Sequence, residues 1–364
     1  MNGGARRPDF VDALLPTLVA LIVYRLGQLI PIPGLEPKAT AQLLQAGNVD
    51  AARVAILALD IYPLFGILIL FELAKMLAPR LRRWERAEAR NAAKLARIAL
   101  IVALISAVVQ SNGIVTALEE AIGVVTEPGP SFRLSTTFTL VAGTLLVGWL
   151  ARQISSRGLG SGLWLIVIAP TLAGLLPTVA TLVEFQRQGV VSPVSALIGL
   201  AFVVAAVAAV VALLLAGTGT PERARACAWS TVLAYSTLPF LLLPVSALAH
   251  LTLSGDSTDW LEQGHPVRLV TLALLLWLYL ALYARSCRLA DVEGPGLPSL
   301  TMAAMLAVAA LGCEALPTYL GVPVILSGQP LLVVTLVTAT LSRDWGNGPL
   351  AQGVREAQSS GANR

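Results

Sequence analysis

Residues 20–35 read ALIVYRLGQLIPIPGL. One arginine, Arg25, interrupts an apolar run, and the run stops at a turn marked by Pro31, Pro33 and Gly34. Proline lacks the N–H that a helix needs, so this stretch reads as the end of a helix followed by a sharp change of direction. The apolar span itself covers about 13–30. A helix crossing a bilayer needs about 20 apolar residues. Arg25 and the absence of a clean small-residue cleavage site argue against a removed signal. Arg6-Arg7 is followed by Pro8-Asp9 and reads as a cytoplasmic anchor.

The rest of the chain agrees. Of 364 residues, 56% are hydrophobic and only 13% charged, whereas a soluble domain has about 45–50% and 25%. This excludes an ordinary soluble enzyme, a disordered chain and a disulfide-stapled one. Further spans fall at about 60–78, 95–112, 136–152, 162–183, 194–216, 229–250, 267–286, 299–316 and 329–342. The expected fold is an all-α, polytopic membrane protein of about ten helices. No short alternating segments suggest a β-barrel.

Lys and Arg set the orientation. With the N-terminus inside, 19 of the 25 basic residues fall inside and five outside, which predicts both termini in the cytoplasm and an even number of spans. The net charge of +4 therefore reads as topology, with no nucleic-acid partner. The largest inside loop, RLRRWERAEARNAAK from Arg80 to Lys94, is an orientation signal and headgroup anchor on one reading. On the other it is a docking surface for a cytosolic partner. The outside segment 34–59 is long and semi-polar with a helical pattern, which suits a re-entrant segment in a water-filled cavity. Two halves are expected, 1–190 with five spans and 191–343 with five, followed by a cytoplasmic tail, 344–364.

No catalytic constellation is visible, so no enzyme and no cofactor are expected. His250 and His265 are too few and too far apart for a metal site. Cys227, Cys287 and Cys313 form no CxxC pair. The run Gly158-Leu159-Gly160-Ser161-Gly162 lacks a strand before it and a GK[ST] after it, so it reads as a flexible turn. Ionisable residues within spans are costly and are functional candidates. They are Arg25, Asp60, Glu72 and Glu314. For Glu72 the plainer reading is a carboxylate facing an aqueous groove or bonded to a neighbouring helix.

The ordered motifs carry a resemblance. Residues 20–35 closely resemble the end of the first transmembrane helix of the SecY family, the channel subunits of the bacterial protein translocase. ILALDIYP at 56–63, QSNGIVTAL at 110–118, AGTLLVGWLARQISSRGLGSG at 142–162, Leu163 to Pro177, and SGQPLLVV at the start of span ten resemble later family segments in the same order. From 190 to 300 only order and hydropathy carry the likeness.

The resemblance implies an hourglass channel for unfolded polypeptide, made of two five-helix halves. It implies an apolar pore ring at Phe65, Ile69, Val167, Thr171, Leu238 and Val333. A shortened plug would lie within 34–59, and a lateral gate between helices two and seven would carry polar Glu72 with Gln110 as a neighbour. The implied partners are a small SecE-like membrane subunit and a cytosolic motor such as SecA or a dedicated factor, in the bacterial inner membrane. Docking residues would be Arg80, Arg82, Arg83, Arg86, Arg223, Arg225 and Arg288. The family's projecting loops are short here, about 217–228 and 287–298, and the second carries Pro295-Gly296 at its tip. That implies a specialised, minimised paralogue. A non-translocating scaffold and a small-solute transporter are the alternatives.

Overall fold

The computed structural model describes residues 10–45, 51–121, 123–215, 221–252 and 264–290, with scattered positions between 304 and 315. The described elements are α1 (Phe10–Gly27), α2 (Pro37–Gln45), a short 3-10 helix (Ala51–Val54), α3 (Tyr62–Leu77), α4 (Pro79–Ala87) and α5 (Ala89–Glu120). After these come α6 (Pro130–Arg157), α7 (Gly162–Arg187), α8 (Pro193–Leu215), α9 (Pro221–Thr252) and α10 (Pro266–Leu289). Among the described residues the only β pairing is two isolated bridges, Pro31 with Ala55 and Leu35 with Val125. The all-α expectation holds.

Proline punctuates the chain. Six helices begin on one: α2, α4, α6, α8, α9 and α10. At the first helical position the missing N–H is harmless and φ is already set. At α10 the cap is His265, whose Nδ1 accepts from the Val267 N–H at 3.3 Å. Spans one to eight each coincide with a helix, and most helices run past the predicted ends. α5 and α6, for example, extend into polar flanks that the apolar spans 95–112 and 136–152 leave out. Among the described residues, four stretches are long and apolar enough to cross a membrane: Ala89–Glu120, Pro130–Arg157, Arg225–Pro244 and Pro266–Leu289. Span ten, and most of span nine, lie outside the described residues.

The chain divides into two compact units, Met1–Phe71 with Glu85–Ala169, and Glu72–Trp84 with Pro170–Arg364. One boundary between them falls inside α7, and the other two fall inside α3 and α4.

In the first unit α6 packs against both α1 and α5. α5 buries Leu95, Ala99, Ala103, Ala107, Ser111 and Val115. This four-residue repeat of mostly small side chains lets helices approach closely. Its opposite side leaves Ile98, Ile101, Ile105 and Val109 exposed. The turn at 158–162, expected to be flexible, is tied down: Leu159 N–H donates to Thr17 Oγ1 on α1 at 2.9 Å. In the second unit α9 packs on α10, with Leu233, Leu238, Leu272, Leu276 and Leu280 fully buried.

The segment after α1 is built as a middle strand without a sheet. Ile32 N–H donates to Val54 O at 2.9 Å and Ile56 N–H to Ile30 O at 2.9 Å. On the other side Glu36 N–H donates to Val124 O at 2.8 Å and Thr126 N–H to Gly34 O at 3.0 Å. Ile32, Val54, Leu59, Val115, Val124 and Phe132 form the core beneath it. Gly34 sits at φ +89°, and a Cβ there would lie 3.1 Å from the Phe132 ring. We expect Gly34→Ala to cost about 1–2 kcal/mol from the left-handed conformation alone. Thermal unfolding in detergent measures it, and an unchanged midpoint would refute it.

Candidate functional site

Three groups of side chains stand out. The first closes the turn that follows α1. Tyr24 and Gln28 lie one helical turn apart, so their side chains share a face. Tyr24 Oη donates to Asp60 Oδ2 at 2.6 Å, and Gln28 Nε2 donates to Tyr24 Oη at 2.8 Å. Arg25 Nη1 in turn donates to Gln28 Oε1 at 2.9 Å. Tyr24, Gln28 and Asp60 are buried, while Arg25 is exposed. Asp60 adopts φ +51°, the one non-glycine with positive φ among the described residues. Its Oδ1 accepts from the Ile61 N–H at 2.7 Å. Aspartate tolerates this conformation because its short carboxylate can bond locally. Arg25, Pro31, Pro33 and Gly34 thus lie on a turn whose base is held by a carboxylate 26 positions beyond Gly34.

The second group comprises the proposed ring positions. In the first unit Phe65 of α3 is buried and meets Trp164 of α7 edge-on, with ring centroids 5.8 Å apart at 82°. Edge-to-face contact suits the ring quadrupoles. Ile69 lies one turn further along α3, and both it and Val167 are half-buried. In the second unit Thr171 is half-buried and Leu238 fully buried. Val333 lies outside the described residues. Trp164 had no sequence signal of its own, because a tryptophan in an apolar run does not announce its partner.

The third group is charged and belongs to the second unit. Glu72, near the end of α3, is 5% exposed. Its carboxylate takes Lys75 Nζ at 2.7 Å through Oε2 and Arg82 Nη2 at 2.7 Å through Oε1. The Arg82 guanidinium carbon stands 4.4 Å from the centroid of the Tyr283 ring on α10. At this range a cation is drawn to the ring face. Arg82 is 2% exposed, and its Nε has no hydrogen-bond partner. Burial pulls the guanidinium pKa down. The Glu72 charge, then Tyr283 and Cys287, outweigh it and hold Arg82 above its ordinary value. Beside it Arg83 Nη2 donates to Leu289 O at 2.6 Å.

This placement corrects one expectation. Arg82 does not stand with Arg80, Arg83 and Arg86 on the exposed side of α4. It turns inward onto the free oxygen of the buried Glu72 carboxylate, Oε1, and the face of Tyr283. Gln110 is exposed and donates to Ser106 Oγ of its own helix at 2.8 Å. Arg225 and Arg288 are exposed, on α9 and at the end of α10. Arg223 is on α9, with its side chain outside the described residues. Among the described residues no cluster of His, Cys, Asp or Glu is arranged to hold a metal.

Comparison with known proteins places this geometry. A family model described as SecY matches residues 55–254, more than half of the chain. The protein translocase subunit SecY of Buchnera aphidicola subsp. Acyrthosiphon kondoi is 35% identical over 191 residues, covering 48% of this chain and 54% of that one. The subunit of the same name from Escherichia coli K12 is 34% identical over 191 residues, covering 48% and 43%. The match thus spans about half the length of these relatives. A solved structure titled "The structure of a protein conducting channel" aligns with a TM-score of 0.55 at 12% identity, covering 94% of each chain. At that identity the likeness is one of fold. The family model runs from just before α3 to the last turn of α9, through the elements that carry Phe65, Glu72, Val167 and Leu238, and the chain belongs to the SecY family.

Proposed function

We propose that this chain is a protein-conducting channel that passes or inserts polypeptides, specialised by reduction of its docking loops. The observation that carries the reading is the family match over residues 55–254, and apolar Phe65, Ile69 and Val167 are assigned to the pore ring on this reading. An apolar constriction offers ions no partners and dewets, while an aliphatic gasket still yields to an extended chain. Thr171, Leu238 and Val333 complete the proposed ring, and Thr171 puts a hydroxyl into it.

A short plug lies within 34–59, and Glu72 and Gln110 are polar residues at a lateral gate. The channel resides in a bacterial inner membrane with both termini in the cytoplasm. It takes a SecE-like small subunit and a cytosolic motor or dedicated factor. Arg80, Arg83, Arg86, Arg223, Arg225 and Arg288 remain as the docking surface. The reduced-loop reading is supported by the brief connection between α8 and α9, which end and begin at Leu215 and Pro221.

The test is a photocrosslinking amino acid at Ile69 in growing cells. Adducts to extended proteins, lost when export is inhibited, are the expected result. Only intramolecular crosslinks from a well-expressed protein would overturn the reading in favour of a scaffold.

A further inference from the structure

We infer that Glu72, Arg82 and Tyr283 form a releasable ionic latch that holds the start of α4 against α10. This goes beyond the conducting role and does not depend on it.

The geometry carries three features of a latch. The first is that a single carboxylate holds the arginine in place. Glu72 Oε1 takes Arg82 Nη2 at 2.7 Å, and the face of Tyr283 lies 4.4 Å from the same guanidinium. The second is incomplete satisfaction, since Arg82 Nε is buried without an acceptor. A buried charge with one donor unmet gains hydrogen bonds on leaving. The third is that Glu72 keeps a second cation. Lys75 Nζ sits 2.7 Å from Oε2 and three residues along the same helix. When Arg82 departs, the carboxylate stays paired. Release therefore strands no charge on the α3 side, and Arg82 regains water.

Removing Glu72 has the opposite consequence. It leaves Lys75 and Arg82 as two cations around one buried position, and repulsion together with desolvation expels Arg82. In the closed state α4 presents Arg80, Arg83 and Arg86. In the open state Arg82 joins them, so the latch also sets the charge that α4 displays.

Hydrogen exchange of the full chain in lipid nanodiscs tests this, read at the amides of residues 81–84. Glu72→Gln is expected to speed exchange there by about tenfold or more, with α9 and α10 still protected. Arg82→Gln is expected to loosen the same amides, and Glu72→Gln combined with Arg82→Gln to loosen them no further than the single variants do, as coupled residues should. Tyr283→Phe keeps the ring face and should stay closer to wild type than Tyr283→Leu, which should loosen α4. Should Glu72→Gln fail to accumulate, the two Tyr283 variants decide alone. Wild-type protection in both Glu72→Gln and Tyr283→Leu, or effects of Glu72→Gln and Arg82→Gln that simply add in the double variant, overturns the latch. None of these readouts needs a translocating substrate, so they stand or fall apart from the crosslinks at Ile69.

Discussion

Gly143→Val is expected to abolish most accumulation of folded protein. A Cβ at Gly143 would run into the carbonyl oxygen of Ile56 and lie 3.2 Å from Leu57 Cδ2. The obstacle is backbone, and that backbone is fixed: Ile56 N–H is bonded to Ile30 O at 2.9 Å. α6 and the 55–57 segment cannot part without breaking the pairing of the turn after α1. Overpacking a well-fitted site costs about 1–3 kcal/mol, and occasionally more. The valine adds three carbons against a rigid wall, so about 3 kcal/mol or more is expected. Gly148→Val is the control on the same helix, since the nearest atom to a Cβ there is Leu64 Cδ1 at 3.9 Å. Equal melting temperatures for the two variants in detergent would refute the argument.

Asp60→Ala is expected to cost about 3 kcal/mol, the sum of a buried phenol left without its acceptor and an alanine forced into left-handed backbone. The two parts separate experimentally. Asp60→Gly loses the same bonds to Tyr24 and Ile61, but glycine adopts φ +51° freely. It should therefore recover about 1 kcal/mol relative to the alanine variant. An alanine variant as stable as the glycine variant would show that the backbone at 60 relaxes, contrary to this account.

Hydropathy carried the fold well for eight of the ten expected spans, because each apolar run coincides with a helix. It placed ends poorly, since α5 begins at Ala89 rather than near 95 and the polar first turns of a long helix do not register as apolar. The turn after α1 was legible from its prolines and glycine. Its clasp was not, because Tyr24 and Asp60 are 36 residues apart and no local pattern links them. Glu72 could be flagged as a costly charge, but not its partners. Arg80, Arg82, Arg83 and Arg86 are chemically alike, and only the packing of α4 selects the one that turns inward. Tyr283 and Trp164 were equally silent, since an aromatic residue in an apolar helix reads the same whether it meets a cation, a ring or lipid.

The pairing around Gly34 sets a timetable for biosynthesis. Ile30 and Ile32 find their partners at 54–56 almost as soon as these are made. Gly34 and Glu36 bond to Thr126 and Val124, which leave the ribosome only after α3, α4 and α5. At about 5–20 residues per second that interval is on the order of ten seconds. Throughout it the nascent chain carries a half-assembled turn with open hydrogen-bonding groups. The first unit is therefore a product of late closure, and a chain truncated before Val124 would be a natural target for quality-control proteases.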